Sequence, residues 1–213
     1  MGLFITFEGI EGSGKTTQFE LLKSYLEKMG RSVLAIREPG GSVLGERIRE
    51  ILLNSGGVGI CPVSELFLYE ACRAELVKDV IGPALKSNKT VICDRFIDST
   101  IAYQGFGRGI GIKDIERVNN MAAGGVAPDV TFLLDMDPGA GLERAWKRIN
   151  ATNTGINRED RFEKEGLEFH SRVREGYLRL SMAEPERIKV IDGARDVRLV
   201  HGDICAVVDK IIR

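Results

Sequence analysis

A glycine-rich stretch near the start of the chain has the residue types and spacing of a phosphate-binding loop. Residues 9–16 read G-I-E-G-S-G-K-T, which fits the pattern G-x-x-x-x-G-K-[ST]. The glycines let such a loop wrap closely and aim its backbone N–H groups at phosphate oxygens. Lys15 supplies a positive charge for the β- and γ-phosphates of a nucleotide, and the Thr16 hydroxyl is a suitable Mg²⁺ ligand. The loop residues predicted to bind the nucleotide are Gly9, Ile10, Glu11, Gly12, Ser13, Gly14, Lys15, Thr16 and Thr17.

Charged side chains also follow two apolar stretches further along the chain. Asp94, directly after such a stretch, is placed to hold Mg²⁺ or its water shell. Arg95 beside it can bridge a donor phosphate and an acceptor phosphate. Arg37 and Arg49 could bind the acceptor phosphate with their forked N–H donors, although Arg49 alone would more often be a solvated surface charge.

An aromatic and a basic residue share one face of a predicted helix. Tyr69 and Arg73 are four residues apart, which places their side chains on the same side. The Tyr69 ring offers a surface on which a base can stack, and Arg73 can donate to a base carbonyl. For Tyr69 two interpretations stay open, because an aromatic residue on an amphipathic helix is as often part of the core as it is a stacking platform.

The elements that must position these residues alternate between short apolar strands and amphipathic helices. The pattern predicts strands at 3–7, 32–36, 90–93, 130–134 and 188–191, with helices that include 16–29, 43–53 and a long one at 64–86, bent near Gly82 and Pro83. Strands without polar alternation indicate burial on both faces, hence a parallel sheet between two helical layers. In such α/β sheets ligands bind beyond the carboxyl ends of the strands, where the motifs above fall.

Composition limits the classes of partner. A net charge of −1 gives no overall basic field, so we expect neither a nucleic acid polymer nor a membrane surface as partner. No stretch has the length needed to cross a bilayer. The four cysteines are scattered and the two histidines, His170 and His201, lack metal-ligand neighbours at suitable spacing. We therefore expect a cytoplasmic location and no metal or catalytic-triad role for either histidine.

The phosphate loop alone does not select an activity, because switch GTPases, ATPase motors and small-molecule kinases all use it. The guanine motif N-K-x-D of the GTPases is absent, since Asn88 and Lys89 are followed by Thr90 and Val91. The chain is also short for a motor with its sensor elements. The residues that select the acceptor must therefore distinguish between these activities.

In these motifs the sequence resembles the bacterial thymidylate kinases. The stretches FEGIEGSGKTTQ, REPGGS and DRFIDSTIAYQGFGRG, the helix with Tyr69 and Arg73, and the later NREDRFE are similar to that family's signatures, in the same order. The segment DRFIDSTIAYQG is the specific part. The resemblance implies a single P-loop NTPase domain over 1–213, with three layers and a five-stranded parallel sheet. It also implies a homodimer that uses ATP, dTMP and Mg²⁺ to make dTDP.

The resemblance further implies roles for individual residues. Glu11 would lie near the 3′-hydroxyl of the acceptor sugar, and Tyr103 under that sugar, where it could exclude a 2′-hydroxyl. Tyr69, in place of a usual phenylalanine, would stack on thymine, and Arg73 would donate to it. Thr100 replaces a usual serine. The other acceptor residues implied are Glu38, Arg49 and Arg95 around the phosphate, and Ser99, Thr100 and Gln104 in the base pocket.

Members of this family draw a catalytic arginine from the phosphate loop or from a lid. Position 12 is glycine, so the resemblance implies the lid-arginine type, with a lid at about 144–163. Arg158 is the first candidate for contact with the γ-phosphate and Arg148 the second, while Arg144 could simply lie on a solvated helix face. The polar stretch 150–157 is either a surface loop or part of the lid. The predicted catalytic residues are Lys15, Arg95, Arg158, Arg148 and Glu11.

Three functional hypotheses follow. The first is a thymidylate kinase. The second is another phosphoryl-transfer enzyme of similar fold that acts on a different monophosphate or on a nucleoside. The third is a nucleotide-responsive binding protein without catalysis. The combination of Lys15, Asp94, Arg95 and the lid arginines argues against the third, because binding alone does not require groups placed around a transition state.

Overall fold

Five parallel strands form one sheet in the computed structural model, which describes residues 2–53, 59–152 and 161–212. The strand order is β2-β3-β1-β4-β5, and every neighbouring pair is parallel. Each predicted strand is confirmed, and no end differs from its predicted position by more than one residue. The bounds are β1 Phe4–Glu8, β2 Val33–Arg37, β3 Thr90–Asp94, β4 Val130–Asp135 and β5 Ile188–Asp192.

Helices connect the strands. Within the described residues they are α1 Lys15–Lys28, α2 Val43–Leu53, α3 Pro62–Leu76, α4 Gly82–Lys86, α5 Ile97–Thr100, α6 Ile112–Ala123, α7 Pro138–Thr152, α8 Leu167–Ala183 and α9 Val197–Ile211. In these ranges, no helix combines the length and apolar character that spanning a bilayer requires.

The long helix predicted at 64–86 is confirmed with a different irregularity. It begins at Pro62, where the missing N–H costs nothing. A π-helical turn, Val77–Ile81, then separates α3 from α4. Pro83 follows this turn at the start of α4. Since proline cannot donate to the preceding helical turn, the chain shifts its hydrogen-bond pattern just before it.

Both faces of the sheet are covered, as the apolar strands predict. Ile5 and Phe7 of β1 point to one side, where Leu22 of α1 packs against them. Phe4 points to the other side and packs with Leu76 of α3. The core therefore consists of two apolar layers on either side of β1, whose five residues are all buried.

The register of the strands aligns three loops at one edge of the sheet. Asp94 at the end of β3 pairs with Phe7 of β1 and with Arg37 of β2. The ladder continues past the strands, since the Arg95 N–H donates to the Phe7 carbonyl at 3.0 Å and the Glu38 N–H to the Asp94 carbonyl at 2.9 Å. The phosphate loop and the segments after β2 and β3 are thereby fixed side by side.

Helix α8 packs closely against a second π-helical segment, Ile101–Gly107, which carries Tyr103 and Gln104. A Cβ atom at Gly176 would lie 2.7 Å from Cδ2 of the Phe106 ring and 3.0 Å from the Phe106 Cβ. The helix can approach the segment this closely because residue 176 has no side chain.

We predict that Gly176→Ala lowers the free energy of unfolding by about 1–3 kcal/mol, the usual cost of overpacking. The matched control is Gly202→Ala in α9, where an added Cβ meets no atom within 4 Å. That change should raise stability by roughly 0.5–1 kcal/mol, since alanine is the better helix former. Urea denaturation measures both, and equal stabilisation by the two substitutions would contradict the close contact.

Candidate active site

The phosphate loop runs from the end of β1 to the first residue of α1. Gly12 has φ +71, and a Cβ built there would lie 2.0 Å from the Gly141 carbonyl oxygen. No side chain fits at position 12, so an arginine from this point of the loop is sterically excluded. The catalytic arginine expected from the lid stays a prediction.

Lys15 is buried at the base of the loop. Its Nζ donates to the Gly9 carbonyl at 2.9 Å and to the Ile10 carbonyl at 2.7 Å. Burial, with a further contribution from the positive charge of Arg95, lowers the pKa of Lys15 to about 8. A phosphate group placed at the loop would favour the protonated form, because an opposite charge stabilises the ammonium.

The Arg95 side chain connects the phosphate loop with the segment that carries Ser99 and Tyr103, which forms the acceptor wall of the site. Its backbone is in the left-handed region at φ +71, a conformation that costs free energy in non-glycine residues and is concentrated at functional sites. Its guanidinium stacks over the Tyr103 ring at 4.8 Å. The groups that accept from it are the carbonyl of Gly9 (3.0 Å), Oε1 of Glu11 (3.0 Å), Oγ of Ser99 (3.3 Å) and the hydroxyls of Tyr103 (3.0 Å) and Tyr177 (3.2 Å).

Glu11 is a buried carboxylate surrounded by donors and cations. Its Oε1 accepts from the Tyr103 hydroxyl at 2.6 Å as well as from Arg95. Burial acts to raise the pKa of Glu11, but His170, Arg95, Lys15 and Tyr103 outweigh it and lower the pKa to about 2. Glu11 is therefore ionised at neutral pH.

His170 is a residue that the sequence analysis missed. It is 0% exposed, with Nε2 2.9 Å from the Phe162 carbonyl oxygen and Nδ1 3.1 Å from Oε2 of Glu11. The Nδ1 contact places the His170 ring directly against the Glu11 carboxylate and helps to lower the pKa of that carboxyl group. The available signal was the helical spacing of His170 with Val173 and Tyr177, which indicates an inward-facing position.

Two cavities meet at the phosphate loop. The larger, of about 520 Å³, extends from the loop along the acceptor side. The smaller, of about 410 Å³, lies on the other side of Lys15 and Thr16. The predicted residues that line the larger cavity are Glu11, Gly12, Lys15, Thr16, Arg37, Glu38, Arg49, Tyr69, Arg73, Asp94, Arg95, Ser99, Thr100, Tyr103, Gln104 and Arg148.

The smaller cavity contains residues that the sequence analysis did not select. Gly193 and Arg195 line it together with Arg144, and Arg144 donates to the Gly193 carbonyl at 3.2 Å. Arg144 is thus an exposed residue at the cavity wall as well as part of a helix face. The segment after β5 could have been found by the rule that ligands bind beyond strand carboxyl ends.

Arg73 is more deeply buried and more extensively hydrogen-bonded than its predicted role in base recognition requires. It is 1% exposed and pairs with both oxygens of Glu38. The remaining acceptors around it are Oε1 of Glu70 (2.7 Å), Oδ1 of Asn119 (2.5 Å), Oγ1 of Thr100 (2.8 Å) and the Phe96 carbonyl (3.2 Å). Donation to a base requires one of these bonds to be shared, so this role stays a prediction.

The ion pair with Arg73 also holds the Glu38 carboxylate in place. Burial raises the pKa of its carboxyl group to about 7, while Arg73 acts in the opposite direction. Arg49 donates to the Pro39 carbonyl at 2.8 Å from one nitrogen. All four residues predicted around the acceptor phosphate line the cavity. Arg37, Arg49 and Arg95 are the cationic ones. Glu38 is paired with Arg73.

The position of Tyr69 is compatible with both interpretations left open for it, a core residue and a stacking platform. The ring packs against buried apolar residues, which include Leu52 and Cys72, and it also lines the cavity. Burial raises the pKa of its hydroxyl group. One side of the ring therefore belongs to the core while another faces the cavity.

Oxygen atoms suited to a magnesium ion lie beside the phosphate loop. Oδ1 of Asp94 is buried without a hydrogen-bond partner among the described residues. The Thr16 hydroxyl belongs to an exposed residue at the cavity wall. Mg²⁺ takes oxygen ligands, including carboxylates and the hydroxyl of a phosphate loop, so the residues present fit the ion.

The lid arginines differ in their surroundings. Arg148 lines both cavities, with one nitrogen 3.7 Å from Oε1 of Glu163. Arg161 pairs with Glu65 and donates to the Leu52 carbonyl at 3.2 Å, so it holds two elements together. Arg158 lies outside the described residues, as do residues 153–157 of the polar stretch, whereas α7 extends to Thr152.

Comparison with known proteins assigns the family. A family described as "Thymidylate kinase" matches residues 7–204. The thymidylate kinase of Citrifermentans bemidjiense is 52% identical over 198 residues, which cover 93% of this chain and 87% of that protein. That of Solidesulfovibrio magneticus is 50% identical over 99% of this chain and all of its own length.

A solved structure supports the same assignment. The crystal structure of thymidylate kinase from Ehrlichia chaffeensis is 38% identical, covers 98% of each chain and superposes with a TM-score of 0.78. The shared fold is that of a P-loop NTPase, as the resemblance implied. This chain belongs to the thymidylate kinase family.

Proposed function

We propose that the protein transfers the γ-phosphoryl group of ATP to dTMP and releases dTDP and ADP. The observation that carries the proposal is the position of Arg95, which contacts the phosphate loop at Gly9 and the acceptor wall at Ser99 and Tyr103. A single guanidinium that contacts both the phosphate loop and the acceptor wall suits transfer between two phosphates. The activity named in the relatives of this chain supports the same reaction.

An oxygen of the dTMP phosphate attacks the γ-phosphorus while the bond from that phosphorus to the β-phosphate oxygen breaks, and ADP leaves with the electron pair. A phosphate oxygen is already nucleophilic, so the reaction needs no strong general base. The protein supplies position and positive charge through Lys15, Arg95 and a lid arginine. Magnesium, held by Thr16 and Asp94, would neutralise charge on the β- and γ-oxygens.

The choice of a deoxyribose follows from a fixed tyrosine. The Tyr103 hydroxyl is bound to Glu11 and its ring lies under the Arg95 guanidinium. Three contacts with Phe162, Phe169 and Tyr177 hold the ring edge to face. We infer that this ring cannot move aside for a 2′-hydroxyl.

Two finer features belong to the same proposal. We propose a homodimer formed through α3 and α6, which pack together and expose Val63, Phe67 and Met121 at 50%, 58% and 83%. Exposed apolar groups of this size favour a protein contact. We also propose a cytoplasmic location, supported by four unpaired cysteines.

A coupled assay of ADP release against a panel of monophosphates tests the substrate. We predict that kcat/KM for dTMP exceeds that for UMP, CMP, AMP and GMP by more than about a hundredfold, because a buried site rejects groups it cannot accommodate. Equal or better turnover of any ribonucleotide would overturn the assignment of dTMP, although phosphoryl transfer itself would stand.

The lid arginine is tested by kinetics of two variants. Because the loop has no arginine, we predict that Arg158→Ala lowers kcat by at least about tenfold, roughly 1.4 kcal/mol, and leaves dTMP binding nearly unchanged. Arg148→Ala is the matched comparison, and a larger loss there transfers the role to Arg148. If neither variant nor the double variant reaches this loss, the lid supplies no catalytic arginine.

A further inference from the structure

A buried carboxylate outside the cavity joins the base side of the site to the lid. Glu65 lies one helical turn before Tyr69 on α3 and is 0% exposed. It accepts a hydrogen bond from Nε2 of Gln104 at 2.7 Å. It also pairs with Arg108, at 3.2 Å from Nε, and with Arg161.

The contact with Glu65 determines which way the Gln104 amide points. An ionised carboxylate can only accept hydrogen bonds, whereas a glutamine amide has a donor side and an acceptor side. The NH₂ group must therefore turn toward Glu65. Because Gln104 lines the cavity, its carbonyl oxygen, Oε1, is the group left to offer to a ligand there.

Arginine side chains hold the Glu65 carboxylate in place. Arg108 donates to Glu65 from Nε and from a second nitrogen at 3.3 Å. Its third nitrogen donates to Glu165 at 2.6 Å, and its guanidinium lies 4.7 Å from the centre of the Phe169 ring. Glu65 thus has two cationic partners on elements distant in sequence, which leaves it little freedom to rotate away from Gln104.

We propose that Glu65 is a positioning residue for base specificity, because it holds the Gln104 amide with its acceptor oxygen toward the acceptor base. This inference rests on the proposed function. Thymine and uracil carry a hydrogen on N3 and can donate to Oε1. Cytosine has a lone pair at N3, so its nitrogen would face the amide oxygen without a proton between them. Such an unmatched buried pair is strongly unfavourable.

The test measures kcat/KM of wild type and Glu65→Gln for dTMP, dUMP and dCMP. A glutamine at position 65 can accept or donate, so the Gln104 amide becomes free to turn. We expect the dTMP-to-dCMP ratio to fall by at least about tenfold, while the dTMP-to-dUMP ratio stays unchanged because both bases carry the N3 hydrogen. A merely structural role would lower all three values in proportion, and that result would overturn the proposal.

Two further variants separate an effect on the orientation of the Gln104 amide from an effect on the stability of the protein. Arg108→Met removes a cation from Glu65 but leaves the Gln104 contact, so the dTMP-to-dCMP ratio should be that of wild type. The exchanged pair, Glu65→Gln with Gln104→Glu, places an amide donor at 65 and a carboxylate, which can only accept, at 104. It should recover the wild-type ratio, and it preserves the net charge of the buried cluster if Glu65→Gln alone does not fold.

These measurements distinguish a failure of the proposed role of Glu65 from a failure of the proposed function. A wild-type enzyme that does not phosphorylate dTMP would refute the function whatever the variants do. A wild type active on dTMP, with folded Glu65→Gln or exchanged variants whose selectivity contradicts these expectations, would refute only the role of Glu65.

Discussion

The guanidinium of Arg95 sets the geometry on which the rest of the site depends. Its backbone is fixed by the parallel pairing of β3 with β1, since the Arg95 N–H donates to the Phe7 carbonyl. Its side chain then reaches Gly9 in the loop and Tyr103 in the acceptor wall. Because one residue contacts both halves, the distance between donor and acceptor sites is set by the sheet. The left-handed backbone of Arg95 is the strain that this arrangement carries.

The buried charges around Arg95 are arranged before any nucleotide binds. Glu11 is ionised, with the Arg95 guanidinium 3.0 Å from its Oε1. The neighbouring Glu8 behaves differently, because burial and the negative charge of Asp98 raise its pKa to about 7. Groups that already point in their working directions do not need to reorganise during the reaction, and such preorganised charge is the largest source of catalysis in many enzymes.

Local patterns in the sequence predict the parts of the structure that local rules control. The strands follow from short apolar runs, and the phosphate loop from glycine spacing. Contacts between distant elements could not be predicted in this way. Arg73 matches a base-reading position in the motif, yet its donors are taken by Glu38 and Asn119. Glu65 and His170 carry no motif of their own, and only tertiary packing brings them to Gln104 and Glu11. Motif residues were predictable, whereas the residues that hold them were not.

In the proposed reaction the phosphates of two nucleotides meet at Arg95. A compound that joins adenosine and thymidine through their 5′-oxygens by an oligophosphate chain tests it directly, with binding measured by titration calorimetry. We predict that one molecule binds per chain, that either ATP or dTMP displaces it, and that Arg95→Met weakens binding of the compound more than binding of either nucleotide alone. Simultaneous binding of the compound and dTMP, or displacement by ATP only, would contradict a meeting of the two phosphates at Arg95.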